Sequence, residues 1–448
     1  MVHSPSPVQA EIRLPFYISR EYVFLWAGQT ISGLGDYLFD TTLLLWIVTV
    51  IAPGQAWVPL AVSGLLLAES LPAFLVGPFA GVFVDRWETR RVLLAMDLVR
   101  AALIGLLTVF AGAVPLKLLP GGRPQALWQL GAIYLVVFLT SLCSQFFNPA
   151  RLTLSAAIVP EIYRARATGF AQFSMNLAMI LGPSLAAPLF FLLGSPWLLL
   201  FNASSFLFSF LMIFQVHLPQ RKASDVRPRP EARHFWREFG DGVRFLSHQR
   251  VLATLVAVMC LVLFSAGLSA PLALFFATQN LHIPTSLYGL LSAANGVGLL
   301  VGALLLGWWG QRFGLARLFA LGTLLVGILE FVYARQDVFW LACTILVVQG
   351  VPNAAMNIAF GPLVLKFTPR EYLGRVWALI LPAMNLAQLV ATALGGYLVG
   401  TLFLHFHASL FGLSLGPYDT LISFSGLLSM SAGILALVNL YSLDDSQA

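Results

Sequence analysis

Five ionisable residues stand out inside the long apolar stretches of the first half of this 448-residue chain: Asp36, Asp40, Glu69, Asp97 and Arg100. A charge in such a place is expensive, roughly 2.5–3.5 kcal/mol each on insertion scales, so it faces a cavity or a partner rather than lipid. Asp36 falls roughly 12 residues into its stretch, about 18 Å along a helix rising about 1.5 Å per residue, near the midplane of about 30 Å of hydrocarbon. Asp40 lies one turn further on the same face. Glu69 is similarly deep in the next stretch, whereas Asp97 and Arg100 are spaced to pair on a third. A carboxylate taken out of water holds its proton more tightly, and its titration moves toward neutral pH. The chemistry within reach is therefore proton binding and release, or capture of a cation. Asp36 and Glu69 are the leading positions for it and Asp40 the third, while Arg100 holds Asp97, or Asp36 in one conformation. The structural alternative is a static Asp97–Arg100 pair, with the remaining carboxylates satisfied by neighbouring Ser, Thr and Gln.

The elements that position these groups follow from composition. Hydrophobic residues make up 59% of the chain and charged residues 10%, against about 25% charged in soluble domains. Twelve apolar stretches, at about 22–50, 57–84, 92–114, 126–148, 166–192, 196–217, 250–278, 286–309, 316–335, 338–365, 375–404 and 418–441, approach or exceed the roughly 20 residues that a bilayer requires of a helix. The fold class expected is an all-α membrane protein of twelve transmembrane helices. Residues 1–20 are polar and the first apolar run is too long for a signal-peptide core, so helix one is expected to be retained. Of the 25 Lys and Arg, all but Lys117, Arg123, Arg335 and Arg100 fall on one side of the membrane. The positive-inside rule then places both termini in the cytoplasm of a multi-pass cell-membrane protein. It also accounts for the net charge of +6 without a nucleic-acid partner. Cys143, Cys260 and Cys343 have no metal-type spacing and are expected to be small core residues.

The chain divides at residues 218–249, an Arg- and Pro-rich cytoplasmic linker that turns amphipathic over 234–247 and is expected to lie on the membrane surface. Six-helix bundles are expected on either side, at 1–217 and 250–448. Their sequences match in detail. Gly81 and Arg86, with Arg90 and Arg91, have counterparts in Gly307 and Arg312, with Arg317; Asp85 is matched by Gln311. Asn148, Pro160, Arg166 and the run Met175-Asn176-Leu177-Ala178 recur, at one constant offset, as Asn357, Pro369, Arg375 and Met384-Asn385-Leu386-Ala387. Duplicated membrane halves with a site between them near the midplane are a transporter architecture.

On these residues the sequence resembles the major facilitator superfamily over essentially its whole length. The loop Gly81-x-x-x-Asp85-Arg86-x-x-x-Arg90-Arg91 is similar to that family's motif A, present at the matching loop of both halves. Physically, the glycine permits close helix approach, and Asp85 with the arginines suits capping of helix ends and latching of the cytoplasmic side. Gly169, Ala178, Gly182, Pro183 and Ala186 resemble motif C of the drug–proton antiporter branches, with two glycines replaced by alanine; small residues and a proline suit a close, bending interface. Trp26 to Asp36 and Met96 to Arg100 resemble the branch of macrolide-efflux proteins and the enterobactin exporter. The resemblance implies a secondary active exporter of amphipathic drugs or related molecules, proton-coupled and working by alternating access, most simply as a monomer. The buried arginine that the best-studied antiporter branch carries within helix four is absent here. Arg151 comes only at that helix's cytoplasmic end.

The second half carries less charge within its spans. Glu330 is expected near the outer interface. Gln29, Asn176, Asn295, Asn353, Asn357, Asn385 and Gln388 are candidates for hydrogen bonding to substrate, and helix-to-helix bonds explain them equally well. No metal or other cofactor is implied; His405 and His407, near the outer surface, are a weak metal candidate only. No nucleophile with its base stands at a membrane face, and no phosphate loop is present, so neither an enzyme nor direct use of ATP is expected. Export of a siderophore or lysophospholipid is the alternative within transport, and a non-transporting receptor is the alternative of another class.

Overall fold

The computed structural model describes residues 18–84, 86–110, 126–217, 244–309, 314–369, 371–403, 406, 408–410 and 413–440. Among them, twelve helices are long and apolar enough to cross a membrane. In the first half these are α1 (Arg20–Trp46), α2 (Val58–Leu75), α3 (Thr89–Phe110), α4 (Ala126–Ile158), α5 (Arg164–Leu193) and α6 (Ser195–Phe214). In the second they are α7 (Arg250–Ser269), α8 (Tyr288–Trp309), α9 (Leu315–Tyr333), α10 (Phe339–Phe367), α11 (Leu373–Tyr397) and α12 (Pro417–Leu440). Helices prevail because a backbone in hydrocarbon must satisfy its N–H and C=O groups within itself. Where a chain enters, side chains assist: Ser19 accepts the Tyr22 N–H at 3.0 Å and caps α1. A short antiparallel pair, Ala408–Leu410 with Leu413–Leu415, precedes α12.

Two helices differ from the hydropathy reading. The fourth was expected to end near residue 148 but continues through Pro149 to Ile158, because Ala150, Leu154 and Ile158 keep a helical spacing and bury in the core of the first half. The second stops at Leu75 and restarts as Gly77–Val84. Pro78 occupies an early position of the new segment, where its missing N–H removes no intrahelical bond. The linker 218–249 lies outside the described residues except for its end. There residues 244–248 form a helical turn whose Phe245 stacks on Tyr372 with ring centroids 4.5 Å apart.

The halves repeat each other in packing. In the first, α1 packs on α5 and α6, α3 on α4 and α6, and α2 on α4. In the second, α7 packs on α11 and α12, α9 on α10 and α12, and α8 on α10. Each contact recurs six helices later. Between the halves the principal contacts are α5 with α8 and α2 with α11, which this correspondence makes one contact used twice. Both lie toward the end away from the chain termini. There one buried apolar cluster draws Leu43, Val62 and Phe190 together with Leu272, Phe276 and Ile422 from the other half. At the end nearer the termini the cores are separate, one around Leu93, Phe147 and Ile213, the other around Phe319, Ala359 and Ile380. The halves are thus joined at one end and independent at the other.

Two glycines allow that joining. A Cβ at Gly289 would stand 2.0 Å from the Pro183 carbonyl oxygen, and one at Gly396 would stand 1.8 Å from Ser63 Oγ. Small residues of this kind bring helix backbones together in membranes.

Candidate functional site

A cavity of about 350 Å³ lies between the halves, and most of its lining comes from the first. Asp36 and Asp40 reach it from α1, Glu69 from α2 and Arg100 from α3. The single turn between the two aspartates puts both on the cavity face while Leu38 and Leu43 turn into the core. Asn385 and Gln388, both on α11, supply the lining from the second half.

Arg100 is held in place on several sides. Its Nη2 is 2.5 Å from Asp97 Oδ1, Nη1 donates to Ser144 Oγ at 3.5 Å, and the guanidinium lies between the Phe147 and Phe206 rings, 4.3 Å from each centroid. Asp97 is 0% exposed and Arg100 4%, so the pair is desolvated and its charge largely spent internally. Asp36 lies beside the Asn202 carboxamide and within electrostatic reach of Arg100, Asp97 and Glu69. Asp40 has Glu69 and Asp36, both carboxyls, as its electrostatic neighbours. The site therefore gathers three carboxyls in one cavity around a single guanidinium that is already engaged. Protons or a cationic ligand must balance what Arg100 does not.

The Asp97–Arg100 pair makes a stability prediction. Arg100→Leu strands a buried carboxylate and is expected to cost about 3–5 kcal/mol, whereas Asp97→Asn with Arg100→Leu together is expected to cost much less. Thermal unfolding of the purified protein in one detergent compares the two; equal losses would mean that the cost lies in Arg100's contacts with α4 and α6 and not in the stranded carboxylate.

The other expected residues are placed as follows. Arg90 donates from Nε to the Ile213 carbonyl at 3.4 Å and from Nη2 to the Phe214 carbonyl, capping the end of α6. Arg91 pairs with Glu88 at 2.5 Å on the surface, and Arg86 is exposed. Asp85 and Arg312 lie outside the described residues; Arg317 lies in the first turn of α9. A Cβ at Gly81 or Gly307 would meet nothing within 4 Å. The close approach expected of these glycines is therefore not made in this conformation, because the halves are apart at that end. On α5, Ala178 and Ala186 are buried, Gly182 is pressed against Tyr37 of α1, and Pro183 meets Gly289 of α8, while a Cβ at Gly169 would meet nothing within 4 Å.

Among the uncharged candidates, Asn385 and Gln388 line the cavity. The rest of that set is not part of its lining. Gln29 donates to Ser209 Oγ at 3.2 Å, Asn176 accepts from Gln172 at 3.0 Å, and Asn357 donates to Asn353 at 2.9 Å. Asn295 is half-buried on α8. Sequence reasoning missed Asn202, Thr140, Ser144 and Gln145, which also line the cavity; uncharged polar residues recur in every span and carry no signal of which face they take. Glu330, in the last turn of α9, is bonded to hydroxyls of α7 and α12. Among the described residues, no three His, Cys, Asp or Glu are placed to hold a metal; His405 and His407 lie outside them.

Comparison with known proteins places most of the chain. The family model described as Major Facilitator Superfamily matches residues 25–279 and 255–444. An uncharacterized MFS-type transporter, YfiS of Bacillus subtilis (strain 168), is 28% identical over 387 residues, covering 84% of this chain and 85% of that one. Macrolide efflux protein A of Streptococcus pyogenes is 26% identical over 385 residues, covering 82% and 86%. Among solved structures, a bacterial homologue of the iron transporter ferroportin in an inward-facing state superposes with a TM-score of 0.68 at 16% identity, covering 94% of this chain and 98% of that one. The last likeness speaks for the fold alone.

Proposed function

This chain belongs to the major facilitator superfamily of transporters, and we propose that it exports amphipathic, cationic small molecules across the cell membrane in exchange for protons. The observation that carries this reading is the charge of the cavity: Asp36, Asp40 and Glu69 share it with one guanidinium, and that guanidinium is bound to Asp97. A cation and a proton each neutralise the same carboxyls, so the arrival of one favours departure of the other. Such competition is the minimal requirement of an antiporter. Asp36 and Glu69 are the leading exchange sites and Asp40 the third, with the Phe39 and Phe206 rings beside the carboxyls to receive an apolar body. The similarity to a macrolide efflux protein supports export as the direction.

Both termini belong in the cytoplasm by the positive-inside rule. With that orientation the joined end of the bundle faces outward, and the cavity is in its cytoplasm-facing state. Alternating access then exchanges the α5–α8 and α2–α11 contacts at the outer end for contacts near motif A at the inner end. The halves move as a single copy, with no second subunit needed to complete the cavity.

Transport in everted membrane vesicles tests the reading, with ethidium as the cationic amphipathic probe. Vesicles acidified inside are expected to accumulate ethidium above a vector control and to lose it when nigericin collapses the pH gradient. Accumulation that survives nigericin would overturn proton exchange, and none above the control would overturn the substrate class.

A further inference from the structure

Outside the central cavity, Asp97 and Asp419 are paired with arginines, whereas Glu330 is held by hydroxyls alone. Glu330 stands in the last turn of α9, and its Oε1 lies 2.8 Å from Ser269 Oγ of α7 and 2.5 Å from Ser425 Oγ of α12. Those two hydroxyl oxygens are themselves 2.6 Å apart. Three oxygens from three helices thus form a closed triangle whose every edge is a hydrogen-bond length. Further along the same two helices, Ser429 Oγ donates to Ser265 Oγ at 2.8 Å, and Ser265 Oγ donates to the Ser425 carbonyl at 2.5 Å. Ser265 and Ser425 are 0% exposed and Ser429 1%, so water does not complete this cluster from their side.

A count of protons decides the state of the carboxyl. Three short edges require three protons, and each serine hydroxyl has one to give. An ionised Glu330 would leave one edge as two oxygen atoms in contact with no hydrogen between them. Competing acceptors sharpen the shortage, since the Ile422 carbonyl lies 2.9 Å from Ser425 Oγ and the Ser265 carbonyl 3.2 Å from Ser269 Oγ. A carboxylic acid supplies the third proton and closes the ring. A metal ion does not fit in its place. Oxygens held at about 2.0–2.6 Å from a hard cation stand about 3 Å or more from one another, further apart than any edge of this triangle.

Among the described residues, none of the groups acting on Glu330 carries a charge to hold the ionised form. Tyr333, on α9 itself, is in electrostatic contact with Glu330, with Tyr288 of α8 and with Cys343 of α10, side chains that are neutral at pH 7 when unperturbed. On α12 the charge of Asp419 is taken by Arg335, 3.2 Å away. From α7 the facing groups are Ser265 and Ser269.

We propose that Glu330, with Ser269 and Ser425, is a proton-binding site in the second half, occupied at neutral pH and separate from the central cavity. It lies toward the end where the halves are joined, through which protons enter under the proposed function. Its part in driving transport rests on that reading, while the presence of the proton rests on the oxygen geometry alone.

Infrared difference spectroscopy on the full chain in lipid nanodiscs tests the site at pH 7. Subtracting the spectrum of Glu330→Gln from that of the wild type is expected to reveal the carbonyl stretch of a protonated carboxyl. A carboxylate band in its place would overturn the proposal. Ser425→Ala guards against a glutamine variant that fails to fold: the same carbonyl band is expected to move to higher frequency as the carboxyl loses a hydrogen-bond partner, and an unmoved band would count against the ring. Neither readout depends on transport, so a chain that moves no ethidium would count against the exporter reading without touching this one.

Discussion

Asp36→Asn and Glu69→Gln are each expected to abolish the dependence of ethidium accumulation on the pH gradient and to reduce accumulation roughly ten- to hundredfold. The size follows from the charge lost. A unit cation about 4 Å from a carboxylate gains about 4 kcal/mol at an effective dielectric constant of about 20, or nearly a thousandfold in affinity. The two carboxyls that remain in the cavity recover part of that, which brings the expected loss down. The pH dependence has a definite sign. In the wild type, acid on the cavity side protonates the carboxyls and weakens cation binding, so binding strengthens as that side is made alkaline. Asp36→Asn and Glu69→Gln should flatten the dependence, and Asp40→Asn should flatten it less. Asp97→Asn separates coupling from architecture, because Asp97 is sealed against Arg100 and is expected to alter stability while the pH dependence of binding persists. Fully coupled transport in both leading variants would remove these carboxyls from the mechanism.

The carboxyls were legible in the sequence for a physical reason: a charge within an apolar span has few places to go, and Asp36 and Asp40 announce a shared face by their spacing. The pairing of Asp97 with Arg100 was legible in the same way. Asn202 was not, because an asparagine in a span bonds as readily to a neighbouring helix as to a ligand, and nothing along the chain says which. Gln29 shows the other outcome, bonding to Ser209 on a neighbouring helix, while Asn176 and Asn357 bond to residues one turn away on their own helices. Helix number followed from hydropathy, but the course of α4 past Pro149 depended on tertiary burial of Ala150 and Leu154. The partners of Glu330 were not legible, because Ser269 and Ser425 come from helices far apart in sequence and meet only in the folded bundle.

The repeat carries further than its sequence anchors suggest. The matched residues mark loops and the faces of α4, α5, α10 and α11, but the packing repeats helix by helix, down to the contacts between halves. The α5–α8 and α2–α11 contacts are related by the same correspondence that relates the bundles, so each half presents the other with the same pair of surfaces. The cavity between them is nevertheless unequal, in lining as in charge, because most of its wall comes from the first half. The carboxyls belong to the first half, whereas Asn385 and Gln388 of the second offer neutral hydrogen-bonding groups. Relative motion of the halves therefore moves a charged wall against a neutral one, and a ligand held by the carboxyls travels with the first half.

That motion makes Gly289→Ala the second large effect. At Gly289 a Cβ would stand 2.0 Å from the Pro183 carbonyl oxygen and 2.6 Å from its carbon. Both are backbone atoms of α5, so no rotamer change relieves the clash. Overpacking of this kind costs about 1–3 kcal/mol, and the cost falls only on the conformation in which α5 and α8 touch. A conformational equilibrium shifted by that amount changes roughly five- to 150-fold, toward the state open at the end where the halves now meet. At Gly396 the nearest atom is Ser63 Oγ, 1.8 Å from the added Cβ, which a side-chain rotation relieves in part. Gly396→Ala should therefore shift the equilibrium less than Gly396→Val. Gly169→Ala, with nothing within 4 Å, is the silent control. Spin labels at positions 56 and 402, exposed at that end, read the result on a background with Cys143, Cys260 and Cys343 replaced. Double electron–electron resonance is expected to show a longer distance gaining population in Gly289→Ala and Gly396→Val and not in Gly169→Ala. An unchanged distribution in folded Gly289→Ala would mean that the α5–α8 contact does not close this end of the transporter.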